Sequence, residues 1–248
     1  MPLINTKPPE RKPRPFKGII YGVHGGGKST FGAQSDGCYF LDCENGLGTV
    51  FTPDGSLPAQ SGYLERWDDI YSHLLAFERE DHGAKTLVVD TLDWLIRRAE
   101  ESVSGDSITS TLGKAQGGYG NGKQVLKNYV FKLLLPCFDR MVAKGYNVLL
   151  LAHANKSETM DGDGIKTEKL APDIMPDLLG TMLEWSDFVG FASVDGGKRT
   201  LLTTSNGRAE AKNRYSMPET IPLDWRALKH YVNEAYKANT NNPKKDTV

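Results

Sequence analysis

The sequence predicts an α/β fold: a mostly parallel central sheet flanked by helices and extended by antiparallel strands at its C-terminal end. Three observations lead there. Short uninterrupted apolar runs (Gly18-Ile19-Ile20-Tyr21, Leu87-Val88-Val89, and Val148 to Leu151) have strand length and no polar alternation, as strands covered on both faces do. Between them lie stretches with apolar residues at helical spacing, the alternation that builds parallel sheets. Near the end, two extended runs flank Asp195-Gly196-Gly197, a hairpin signal.

Taken in order, the first strand runs into Gly22-Val23-His24-Gly25-Gly26-Gly27-Lys28-Ser29-Thr30, which fits G-x-x-x-x-G-K-[ST] at every required position. Phosphate needs backbone N–H groups on several sides, and glycines Gly22, Gly25, Gly26 and Gly27 leave room for that approach. Lys28 would reach the β/γ-phosphates of a nucleotide, Ser29 would offer its hydroxyl to Mg²⁺, and Thr30 continues into the helix whose positive end adds to the anion site. A short helix over about 29–34 leads to a buried strand, Cys38-Tyr39-Phe40-Leu41, ending in Asp42-Cys43-Glu44. Residues 51–67, rich in Pro, Gly and Ser, read as loop. Helical spacing of Ile70, Leu74 and Phe77 predicts a helix over 69–80.

Leu87-Val88-Val89-Asp90 is an apolar strand capped by an acid, a Walker B pattern, with Asp90 as the second Mg²⁺ ligand beside Ser29. A helix over 92–103 precedes a polar segment, 104–122. The next helix, over 123–144, contains Pro136, which predicts a kink or break. The strand Asn147 to Ala152 ends at His153, and 155–171 reads as a second long polar loop. A helix over 173–185, strands over 188–194 and 199–204, and a last helix over 224–236 complete the domain, 17–237. Residues 1–16, with five prolines and Lys7, Arg11, Lys12 and Arg14, predict a flexible basic arm, and 238–248 a disordered tail.

Composition excludes some function classes. Thirty basic against 31 acidic residues leave a net charge of −1, so any nucleic-acid site must be a local patch. No apolar run approaches the roughly 20 residues of a membrane span, and the first residues carry no secretory h-region, which predicts a cytoplasmic protein without membrane partners. Cys38, Cys43 and Cys137 form no metal or disulfide pattern, and no His/Cys spacing points to zinc, so Mg²⁺ is the one metal the sequence implies.

With Glu44 just beyond the strand next in sequence to the P-loop helix, and Val88-Val89-Asp90-Thr91 as Walker B, the chain resembles the RecA superfamily of P-loop ATPases over roughly residues 17–223. Compact length makes it most like the phage-encoded minimal RecA-core ATPases of single-strand annealing and recombination. The resemblance implies ATP as the nucleotide and Glu44 as general base. It makes His153, with Asn155 as second choice, the γ-phosphate sensor. It makes Lys212 and Arg214, in Lys212-Asn213-Arg214, cations that reach across a subunit interface to a neighbour's γ-phosphate, and hence a homo-oligomer. The long polar segments fall where RecA-like cores carry DNA-binding loops, which offers Lys114, Tyr119 and Lys123 in or beside the first and Lys156, Lys166 and Lys169 in the second. No N-terminal polymerisation helix and no C-terminal DNA-binding domain of full RecA is recognisable, so the implied activity is annealing alongside a single-strand-binding protein in a phage-infected bacterial host. The alternative class is an ATP-dependent switch or assembly module that acts on a protein partner without DNA.

Overall fold

The computed structural model describes residues 13–105, 110–160 and 166–238. Ten strands among them form one path, β10-β8-β7-β1-β5-β4-β2-β3, with β6 attached to β5 and β9 to β7. Six strands are mutually parallel: β1 (Lys17–Gly22), β2 (Cys38–Asp42), β3 (Ala59–Tyr63), β4 (Thr86–Asp90), β5 (Asn147–Met160) and β7 (Phe188–Asp195). Antiparallel strands β8 (Lys198–Leu202) and β10 (Thr220–Pro222) extend the β7 edge, and the short β9 (Lys212–Asn213) also pairs with β7. This is the predicted fold class: a mostly parallel sheet with antiparallel strands at the end of the chain.

The apolar runs are continuous because helices cover both faces. Period-two alternation divides each strand between two cores. Ile19 and Tyr21 of β1, Leu87 and Val89 of β4, and Val148 and Leu150 of β5 point to one face, with α2 (Trp67–Arg79), α3 (Leu92–Ser104) and α6 (Pro176–Trp185). On the other face Ile20, Val88, Leu149 and Leu151 meet α1 (Lys28–Ala33) and α7 (Trp225–Ala238). Each fully buried Leu or Ile contributes about 1.5–3 kcal/mol of transfer free energy. Phe16, read from sequence as the end of the arm, packs into the second core between Phe188, Tyr215 and Trp225. Of the predicted arm and tail, 1–12 and 239–248 lie outside the described residues.

Two predicted loops contain strands. Within 51–67, Ala59–Tyr63 adds in parallel to β2 as an edge strand. The second long polar segment is a hairpin, in which β5 continues through Met160 and pairs antiparallel with β6 (Lys166–Pro172), Asn155 opposite Ala171 and Ser157 opposite Lys169. Both were hidden for one reason. A strand with little buried surface is held by its backbone ladder, so its side chains carry no apolar period for a sequence reading to find. The long helix before β5 is interrupted as Pro136 predicts: α4 (Asn121–Asn128) and α5 (Leu135–Ala143) are joined by a π-helical stretch, Tyr129–Leu134, that ends just before the proline removes an N–H donor.

Candidate nucleotide site

The C-terminal ends of β1, β5, β4 and β2 lie side by side. In register Gly22 faces His153, Asp90 faces Leu151, and Asp42 faces Asp90. Every residue just past these ends therefore projects into one region, where open α/β sheets hold their ligands.

At the head of β1 the loop turns through Gly25 and Gly27, whose φ values of 70° and 91° lie in the left-handed region that favours glycine. A Cβ on Gly22 would come within 2.5 Å of the Ala192 carbonyl oxygen, so β7 leaves no room for a larger residue there. Lys28 is buried, and its Nζ donates to the carbonyls of Gly22 and Val23, each at 3.0 Å. Burial pushes the Lys28 ammonium below its ordinary value, and Asp90, Glu44 and Asp93 oppose that shift. Arg199 of β8, which the sequence reading did not single out, crosses the loop. A Cβ on Gly27 would lie 3.0 Å from its Cδ and 3.1 Å from its Nε, so the glycine makes space for the arginine stem. No local pattern marks Arg199, because only the sheet order, with β7 alone between β8 and β1, brings it over the loop.

Acids gather opposite Lys28. Asp90 is buried at the end of β4, and its carboxyl is pushed up to about 6, first by burial and then by Glu44 and Asp42, against the Ser29 hydrogen bond and Lys28. The Ser29 hydroxyl is near enough to favour the Asp90 carboxylate, and neighbouring carboxylates leave negative charge that Lys28 does not balance. A hydroxyl and a carboxylate are hard oxygen donors, so this pair fits Mg²⁺. Asp42 works beneath them: its Oδ1 accepts the backbone N–H of Glu44 at 3.1 Å and of Asn45 at 2.7 Å, while Cys43 N–H donates to the Asp90 carbonyl at 2.8 Å. These bonds fix the turn that presents Glu44.

His153 completes the row. Its Nδ1 meets Asp93 Oδ2 at 2.9 Å, its backbone N–H donates to Asp93 Oδ1 at 3.0 Å, and its Nε2 lies 3.6 Å from Glu44 Oε1. His24 of the P-loop stacks on its ring at a centroid distance of 4.1 Å. Hydrogen bonding to Asp93 raises the His153 imidazole above its ordinary value despite burial. Burial raises the Asp93 carboxyl, but the two hydrogen bonds from His153 outweigh it and leave the group below its ordinary value. Asp93 was missed from sequence because a single acid in the first turn of a helix reads as a solvated residue or a dipole partner.

The remaining predicted residues lie elsewhere. Lys212 Nζ donates to the carbonyls of Leu183 and Glu184, at 2.8 and 3.0 Å, where it caps α6. Arg214 pairs with Asp187 at 2.7 Å and remains half exposed. In the first polar segment Lys114, Tyr119 and Lys123 are exposed, Tyr119 fully so. In the hairpin Lys156 pairs with Glu168 at 2.8 Å and Lys169 with Glu210 at 3.3 Å. Asn155 donates to Asp173 at 2.8 Å. Lys166 opens β6, and its side chain lies outside the described residues. No helix among the described residues is long and apolar enough to cross a membrane.

No curated protein matches the sequence. Among solved structures, the flagellar accessory protein FlaH from Methanocaldococcus jannaschii is similar at 11% identity over 84% of each chain, with a TM-score of 0.41. The family described as "AAA domain" matches residues 14–215, most of the chain and every residue of the row from Gly22 to His153. This protein is a P-loop nucleotide-binding protein and belongs to that AAA-domain family.

Proposed function

We propose that this chain is a Mg²⁺-dependent ATPase that binds single-stranded DNA and promotes phage DNA recombination or single-strand annealing. It would act as a homo-oligomer in the host cytoplasm alongside a single-strand-binding protein. One observation carries the reading: β5 is a single strand whose buried half ends at His153, beside Glu44 and the P-loop, and whose exposed half is an arm of the polar hairpin. Whatever displaces His153 also acts on the base of that hairpin.

The residues divide the work. Lys28 supplies positive charge to the β/γ-phosphates once it leaves the carbonyls of Gly22 and Val23, and Arg199 adds a second cation over the loop. Ser29 and Asp90 would hold Mg²⁺, which when bound neutralises charge on the phosphate oxygens. Glu44, held by the Asp42 turn, orients and deprotonates the attacking water, worth about 10²–10⁴-fold in rate. His153 reads the γ-phosphate position. The hairpin base is clamped for transmission: Tyr21 OH lies 2.9 and 2.6 Å from the carbonyl oxygens of Leu170 and Glu210, which share its one proton, and Asp173 N–H donates to the His153 carbonyl at 2.8 Å. Arg214 is the more available cation for a neighbouring subunit, since Lys212 is tied to two carbonyls.

A gel-shift titration of labelled single-stranded DNA with the full chain, with and without ATP, tests the proposal. Binding that ATP strengthens is expected, and no binding in either condition refutes it. In parallel, Glu44→Gln should retain ATP binding and lose about 10²–10⁴-fold in turnover. Normal turnover in that variant removes the general-base assignment.

A further inference from the structure

The P-loop histidine has no part in the phosphate chemistry above, yet it is placed with care. His24, Glu44 and His153 each offer a ligand atom, and these atoms all lie within 4.8 Å of one another. The distance between His153 Nε2 and Glu44 Oε1, 3.6 Å, is too long for a hydrogen bond. It is close to the separation of two ligands on one tetrahedral ion: donors about 2.0–2.1 Å from zinc are about 3.3 Å apart. A second observation points the same way. His153 uses Nδ1 on Asp93, so its Nε2 is the nitrogen turned to Glu44, and a carboxylate behind a histidine is the arrangement that orients metal-ligating imidazoles and raises their basicity. Lys28 Nζ donates to the Gly22 and Val23 carbonyls and makes no ion pair with Glu44 among the described residues. His24 stacks on His153 with the ring centroids 4.1 Å apart, so to ligate beside it the exposed His24 ring must leave the stack and turn its nitrogen toward Glu44, a movement that Gly25 and Gly26, which follow it, leave room for.

We propose that His24, Glu44 and His153 form a three-ligand site for a borderline divalent transition metal of the Zn²⁺ class, separate from the Ser29–Asp90 pair. Two imidazoles and a carboxylate favour Zn²⁺ or Co²⁺ over Mg²⁺, which prefers an all-oxygen octahedron. Three protein ligands leave a fourth position for water or a phosphate oxygen. Because the site takes up Glu44, metal there would block ATP turnover; that consequence rests on the function proposed above, whereas the binding does not.

The test is calorimetric titration of Zn²⁺, and of Co²⁺ followed by its visible spectrum, into the full nucleotide-free chain after chelator treatment. One equivalent should bind, with a tetrahedral cobalt spectrum free of thiolate bands. Affinity should fall at least tenfold in His24→Ala and in Glu44→Gln, and about 10–100-fold in Asp93→Asn. It should be unchanged in Cys43→Ser and should fall less in Asp90→Asn, which removes a nearby charge but no ligand, than in His24→Ala. His24 is exposed and Glu44 partly so, so both substitutions keep the core intact. Absence of saturable binding, or binding unaffected by both His24→Ala and Glu44→Gln, overturns the site. Neither result depends on whether the chain hydrolyses ATP.

Discussion

The two halves of β5 make the sharpest contrast in the molecule. From Val148 to Ala152 every side chain is fully buried, flanked by β1 on one side and β4 on the other, and helices cover both faces. From Asn155 to Glu158 the same strand carries polar residues, exposed except for the half-buried Ser157, and among the described residues it is paired only with β6. One backbone ladder thus continues from a core that cannot yield into an arm with little to hold it but hydrogen bonds. His153 sits at the change, buried, with its imidazole tied to α3 through Asp93. The lesson is that rigidity and exposure can be joined in one strand: the first half fixes where the histidine is, and the second carries the same ladder out into solvent.

The largest effect expected from breaking this contrast is in the first half. Leu150→Ala removes a fully buried side chain and should cost about 2–5 kcal/mol of unfolding free energy, measured by urea titration. Lys156→Ala, further along the same strand, should leave the urea midpoint where it is. Equal losses at the two positions would mean that the hairpin is part of the core. Next in size is the junction. Asp93→Asn keeps the shape and removes the charge that holds His153, which should cost about 1–3 kcal/mol in chelator-treated protein. Its pH dependence follows from the two shifts. The lowered Asp93 contributes stability above the ordinary carboxylate range, near pH 4, and loses it as pH falls through its folded value; the raised His153 contributes below about pH 6.5 and loses it as pH rises through its folded value. The gap in melting temperature between wild type and Asp93→Asn should therefore be widest between about pH 4 and 6.5 and should narrow above it. A gap that widens toward pH 9 would show that Asp93 acts through something other than this histidine.

What the sequence makes legible follows the same division. Strands covered on both faces announce themselves as apolar runs, so β1, β2, β4 and the first half of β5 could be placed within a residue or two, and with them the acids and the P-loop at their ends. Lys28, Ser29, Asp90, Glu44 and His153 were each legible because each stands at the end of such a run, and the sheet brings Lys28, Ser29, Asp90, Glu44 and His153 together. Strand β3 and the hairpin were not legible, since a solvated strand leaves no period. Asp93, Arg199 and His24 were invisible for a different reason: each acts by a contact fixed through sheet order, Arg199 of β8 with Gly27 over the width of β7, His24 with His153 across β1 and β5. No local pattern encodes which strands become neighbours.

In the exposed regions effects should be smaller and should appear in DNA affinity rather than stability. Tyr119 is fully exposed and can serve as a stacking face, so Tyr119→Ala should weaken single-stranded DNA binding by about 1–3 kcal/mol at fixed salt, with melting unchanged.

The smallest effect, and the most informative about the hairpin, concerns Lys156. A phosphate contact on single-stranded nucleic acid contributes about −0.7 to the slope of log affinity against log salt. Lys123 carries no ion pair among the described residues and should contribute that full amount. Lys156 is already held by Glu168, so DNA must compete with an intramolecular carboxylate, and Lys156→Ala should change the slope by less than Lys123→Ala does. Releasing the lysine reverses the sign: if the hairpin contacts DNA, Glu168→Ala should tighten binding and steepen the slope, because it removes both the competitor and a negative charge from the hairpin. If Glu168→Ala leaves affinity and slope unchanged while Lys123→Ala alters both, the hairpin is not a DNA contact, and the exposed half of β5 must act on something other than nucleic acid.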